Sequence, residues 1–146
     1  MLVDSVSALM EELLYNYKLI EDVDTWQLAQ LVQSVAPDFQ VDWDLGVYPF
    51  WIGGYKRGGL YGALLVQPAK PFGRLEYLCI DPLVNKKQRA TLTKQLIYNG
   101  LDYLKRIGSQ VVLTSIDIDW PQEWHDVLCN RGAMKIATCH TYARRV

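Results

Sequence analysis

Cysteine is scarce in this sequence. There are three, Cys79, Cys129 and Cys139, odd in number and scattered. No pair has metal-ligand spacing, so reduced thiols in a cytosolic protein are expected rather than a disulfide framework. Histidine is scarcer, with only two residues far apart, and a His-based metal site is not expected. Long apolar runs are missing, as is a basic-then-apolar leader at the N-terminus; no membrane partner is expected. Charge of one sign is also missing. Fifteen basic residues face sixteen acidic ones, for a net charge of −1. This argues against nucleic acid as a bulk electrostatic partner, while a local basic patch stays open. No repeat, no low-complexity tract and no Gly-rich dinucleotide fingerprint is present. Three aspartates, Asp38, Asp42 and Asp44, surround Trp43, but they lack the central Gly and closing Glu of a calcium loop.

What remains is globular. Half of the 146 residues are hydrophobic and 12% aromatic, enough for a single domain over 1–146 with a buried core. Residues 4–20 carry Val6, Leu9, Met10, Leu13, Leu14 and Tyr17 at spacings of three and four, which predicts a helix. A second, capped by Asp22 or Asp24, carries Trp26, Leu28, Leu31, Val32 and Val35 and stops at Pro37. Together they predict a helical hairpin over 1–36. From residue 47 to 146 the pattern becomes strand-like, then mixed. Phe50 to Tyr55 and Leu60 to Val66 flank the turn Lys56-Arg57-Gly58-Gly59, a hairpin signal. Arg74 to Asp81 reads as a central strand, with Leu75, Tyr77 and Cys79 on one face and Glu76, Leu78 and Ile80 on the other.

The stretch from Arg74 to Ser115 is the organising unit. The strand ends at Pro82, and a basic segment with Lys86, Lys87 and Arg89 follows. A helix over 88–107 buries Leu92, Leu96, Leu101 and Leu104, Gly108 stops it, and a strand over 110–116 comes next. This β-loop-α-β order predicts two adjacent parallel strands. Gly100, costly inside a helix, is read as allowing close approach to the sheet. The basic residues beside the helix N-terminus form either a solvated turn or an anion site. Pro121 opens another helix that ends at Gly132, and residues 134–144 alternate as a closing strand. The fold class expected is α/β (α+β): a mixed sheet with an antiparallel meander, one parallel crossover and flanking helices.

This order, with a Pro and a basic loop at the crossover, resembles the GNAT superfamily of acyl-CoA-dependent N-acyltransferases over residues 47–146. The family's short first strand is not visible in the sequence. Its phosphate-binding loop, of pattern Q/R-x-x-G-x-G/A, corresponds to Asn85-Lys86-Lys87-Gln88-Arg89-Ala90. Ala90 fits; Asn85 and Gln88 depart from the pattern. The resemblance implies that acetyl-CoA is the co-substrate, with Ile80, Lys86, Lys87, Gln88, Arg89 and Ala90 at its site, and that an amine accepts the acetyl group. Leu128 stands where the family often has a Tyr that protonates the thiolate, and leucine cannot donate a proton. Such erosion is similar to that of small proteins encoded by tailed bacteriophages. It implies the alternative of an inactive structural protein in a virion, bound to protein partners.

Acyl transfer needs a base for the amine and an acid for the thiolate. Glu76 is a candidate base or a partner of Arg74. Asp119 is another carboxylate, or a helix cap with Gln122. Tyr142 is a substitute acid or an edge-packing residue. Trp43, Trp51 and Trp120 either line a groove or pack the core. Cys79 is read as packing, not as a nucleophile, and His125 as a surface residue.

Overall fold

The computed structural model describes residues 14–37, 50–114 and 122–130. Their strands are β1 (Asn16–Leu19), β2 (Phe50–Lys56), β3 (Gly59–Gln67), β4 (Phe72–Ile80) and β5 (Val111–Thr114). They form one sheet in the order β1-β2-β3-β4-β5. The first three junctions are antiparallel. The last, β4 with β5, is parallel, from Phe72↔Val111 to Leu75↔Thr114. The helices are α1 (Thr25–Val35), α2 (Lys86–Arg106) and α3 (Gln122–Asn130). The parallel crossover is thus where the sequence places it, as is the mixed architecture.

Two cores lie on the two faces of the sheet. Leu92, Leu96, Ile97 and Leu104 of α2 meet Ile52, Leu64, Val66, Leu75 and Ile80. On the other face Leu28, Leu31 and Val32 of α1 meet Trp51, Tyr55, Leu65 and Cys79. The alternation along β3 supplies both: Leu64 and Val66 point to α2, Ala63 and Leu65 to α1. Gln27 fastens α1 to the β2–β3 hairpin. Its Oε1 accepts from the Leu60 N–H at 2.9 Å and its Nε2 donates to the Gly58 carbonyl at 3.2 Å. Tyr55 donates to Asp24 at 3.0 Å. In the hairpin turn, Arg57 and Gly58 both have positive φ, at 51° and 78°. That is the type I′ geometry which matches strand twist.

Two sequence expectations need correction. The helix predicted over 4–20 does not reach its end, because Asn16–Leu19 are β1. This is the short first strand that the sequence did not reveal. The spacing of Leu13, Leu14 and Tyr17 imitates a helical stripe, but pairing with β2 decides the conformation: the Ile20 N–H donates to the Trp51 carbonyl at 2.8 Å. The second correction concerns β4. Leu75 and Cys79 do not share a face; Leu75 lies under α2 and Cys79 under α1. The register slips by one residue between the pairs Leu65↔Glu76 and Ala63↔Cys79. The extra residue is in β4, and Tyr77 carries a φ of 51°. Such a bulge reverses the alternation beyond it.

Candidate functional site

The crossover after β4 begins with a tight turn. Asp81 accepts from the Leu83 N–H through its side chain at 2.9 Å and from the Val84 N–H through its carbonyl at 3.3 Å. Asn85 then caps α2. Its side chain accepts from the Gln88 N–H at 2.8 Å, and the Gln88 side chain accepts from the Asn85 N–H at 3.3 Å. This reciprocal box starts the helix at Lys86, two residues before the predicted start. The Arg89 N–H donates to the Asn85 carbonyl at 2.9 Å. The first-turn amides of Lys86 and Lys87 have no partner within the helix. They carry the positive end of the helix dipole, and the side chains of Lys86, Lys87 and Arg89 are exposed beside them.

The departure at Gln88 acquires a physical meaning here. Its long side chain is held in the cap. Its amide is spent on Asn85 and that of Arg89 on the helix. The helix N-terminus therefore offers two amides and three cations. Ala90 is exposed one residue further on, and Ile80 is buried under α2, where its side chain packs the core.

Pairing with β5 reaches Leu75↔Thr114, and among the described residues β4 has no partner on that side from Glu76 onward. Tyr77, 51% exposed, occupies the bulge at this point. Glu76, next to it, pairs with Arg74: Nε to Oε1 is 3.4 Å, with the Glu76 side chain 24% exposed. The register Trp51↔Leu65↔Glu76 puts Glu76 on the α1 face. The second half of β4 thus runs from a half-buried carboxylate to a basic helix N-terminus.

Other candidates fall elsewhere. Trp51 is buried under α1, and its indole N–H has no partner among the described residues. Cys79 is buried in the same core, and burial pushes its thiol up to about 11, which suppresses thiolate character. Leu128 and Val127 of α3 pack at the margin of the α2 core. His125 is half-buried on α3. Asp119, Tyr142, Trp43 and Trp120 lie outside the described residues, as does the predicted closing strand. A cleft of about 370 Å³, lined by Phe50, Pro68, Ala69, Lys70, Tyr103 and Ile107, lies toward the C-terminal end of α2, away from Lys86. No described helix is long and apolar enough to cross a membrane. Sequence reasoning missed Tyr77; nothing in Glu-Tyr-Leu announces a bulge.

A scan against protein-family models finds no match, and neither does a search of curated proteins. Solved structures do match. AAC(6')-Iy in complex with a CoA bisubstrate analog is 13% identical, with 91% of this chain and 99% of that one covered and a TM-score of 0.70. An acetyltransferase of Trypanosoma brucei is 15% identical over 90% and 98% of the two chains, at 0.61. A transcriptional regulator from Bacillus halodurans C-125 is 10% identical over 90% and 100%, at 0.67. At such identities the likeness concerns the fold, and folds host more than one function. The chain has the GNAT fold.

Proposed function

We propose that this protein binds acetyl-CoA and transfers its acetyl group to an amine. The observation that carries the reading is the continuity of the site. β4, parallel to β5 at Phe72 to Leu75, runs on through the Asp81 turn to the N-terminus of α2, where Lys86 and Lys87 offer amides and charge. The residues present suit the ligand. The pyrophosphate meets the Lys86 and Lys87 amides and the Lys86, Lys87 and Arg89 side chains. The pantetheine amides run along the backbone of β4. The acceptor on this reading is an amine; the matched structure of AAC(6')-Iy holds a CoA bisubstrate analog.

On this reading Glu76 is the base. It accepts the amine proton directly or through water, in competition with Arg74. Asp119 and Tyr142 remain candidates for acid–base roles from the sequence alone. Calorimetric titration with acetyl-CoA tests the reading. Binding is expected, and replacing Lys86, Lys87 and Arg89 together by Ala is expected to weaken it at least tenfold. Each charge-assisted hydrogen bond is worth roughly 1.5–3 kcal/mol, and 1.4 kcal/mol is about tenfold. No binding at millimolar acetyl-CoA overturns the proposal and favours a structural protein on the same fold.

A further inference from the structure

Phe72, Arg74 and Glu76 alternate on one face of β4, ahead of the bulge. On β5 their register partners are Val111 beside Phe72 and Leu113 beside Arg74. On β3 they are Gln67 beside Arg74 and Leu65 beside Glu76. This is the α1 face, but the core under α1 takes in Leu65 and Cys79 and stops short of Phe72 and Val111. Those two side chains are 52% and 46% exposed. The surface is therefore an arginine and a carboxylate flanked by exposed apolar groups.

The ion pair is loosely made. Arg74 Nε lies 3.4 Å from Glu76 Oε1, beyond the roughly 2.7–2.9 Å of a charge-assisted hydrogen bond. Neither side chain engages a third residue among the described ones. A guanidinium carries several N–H donors and a carboxylate several lone-pair sites, so this approach leaves most of both unused. The arginine is half exposed and the carboxylate partly so, which puts both within reach of a small molecule. A cation two residues from the candidate base repels a polycationic acceptor and attracts an anionic group. A molecule that carries an amine and a carboxylate on one carbon complements the pair. Its carboxylate takes the planar fork of Arg74, its amine faces Glu76, and an apolar side chain rests on Phe72 and Val111.

Resting on the acetyl-transfer reading above, we infer that the acceptor is a free α-amino acid with an apolar side chain, and that Arg74 is the residue that selects it. The ammonium form that binds sheds one proton to solvent. The amine nitrogen then bonds to the acetyl carbon, and the carbon–sulfur electron pair leaves on sulfur, which takes a proton from water. Glu76 accepts the second amine proton and returns it to water. Acetylation removes the charge on nitrogen, so the product loses its hold on Glu76 while its carboxylate still faces Arg74.

The test pairs each apolar α-amino acid with the amine that lacks its carboxylate, such as L-phenylalanine with phenethylamine, and adds spermidine as a polycation. Thiol release from acetyl-CoA is measured with all of them on the unmodified protein and on Arg74→Gln. In the unmodified protein kcat/KM for the preferred amino acid is expected to exceed that for its amine, and for spermidine, at least tenfold, the worth of one charge-assisted hydrogen bond. In Arg74→Gln the preference is expected to vanish, through KM more than kcat. The ratio of two substrates in one sample does not depend on the folded fraction, so loss of the fold cannot imitate this result. Calorimetry of the preferred amino acid against the CoA-loaded protein reads recognition without turnover, and at least tenfold weaker binding is expected in Arg74→Gln. No preference for the amino acid, or a preference that survives Arg74→Gln, overturns the assignment and leaves acetyl transfer standing. Acetyl-CoA binding with no amino acid acetylated overturns it as well. Absence of acetyl-CoA binding overturns both readings at once.

Discussion

Gly100 stands over Leu75 so closely that a methyl group on it would lie 2.8 Å from Leu75 Cδ2 and 3.0 Å from Leu64 Cδ2. Both leucines are nearly sealed from solvent, so neither can swing away freely. Gly100→Ala gains about 1 kcal/mol of helix propensity and loses roughly 1–3 kcal/mol to overpacking. Packing is expected to win by about 1 kcal/mol, seen as a lower urea midpoint at unchanged slope. A higher midpoint would mean that the contact relaxes at little cost.

Asn85 is expected to matter for stability beyond its size. Asn85→Ala removes the acceptor for the Gln88 N–H and breaks the reciprocal cap. A loss of about 1 kcal/mol is expected. Asn85→Asp keeps the acceptor and adds a charge that favours the helix dipole, but places it among Lys86, Lys87 and Arg89. It should preserve stability and weaken acetyl-CoA binding. Thermal unfolding and calorimetry on the two variants check both halves.

How much could be read in advance divides along local and non-local lines. The α2 pattern, its close approach at Gly100, the hairpin turn and the parallel crossover follow from periodicity and punctuation within short windows. The β1 strand does not, because Asn16 to Leu19 is held by partners at residues 52–55. The bulge at Tyr77 is equally silent: an extra residue shows only when the opposite strand is counted against it. That one residue moves Cys79 to the far face and leaves Tyr77 half exposed. The cap at Asn85 is not among the sequence expectations, which start the helix at 88; its side chain takes the Gln88 amide and starts the helix at Lys86.

Burial of Cys79 has a pH consequence. Its thiol is raised from 9.0 to about 11 by desolvation. The folded chain therefore holds this proton more tightly than the unfolded chain. The resulting stability is fully present below pH 9 and is lost as pH rises toward 11. The two-unit shift corresponds to on the order of 2–3 kcal/mol. Burial raises Tyr17 and Tyr55 in the same direction, so alkaline destabilisation is expected to continue beyond that window. Between pH 8 and 10.5 the decline should be shallower in Cys79→Ala than in the unmodified protein. Parallel declines would remove Cys79 as the cause.

Glu76 separates a structural ion pair from a base. The Arg74–Glu76 pair is half exposed on the arginine side, and such pairs contribute about 0–1 kcal/mol. Glu76→Gln is therefore expected to leave the unfolding temperature nearly unchanged. As the base, it accounts for roughly 10²–10⁴-fold of the rate. The expected result is a fall of that order in kcat/KM for the amine, with acetyl-CoA affinity unchanged. A variant that turns over normally would leave Glu76 as a partner of Arg74 alone.

Leu128 provides the complementary test of the acid. It lies on α3 and packs half-buried against the α2 core, so a larger side chain there can extend toward solvent without refilling a closed cavity. Leucine cannot donate a proton, and general acid assistance is worth roughly 10²–10⁴-fold, so Leu128→Tyr is expected to raise thiol release at least tenfold if the departing sulfur lies within reach of residue 128. The measurement is thiol release by both proteins with one amine panel, alongside their CoA affinities. No gain, with CoA still bound, would place the sulfur out of reach of residue 128.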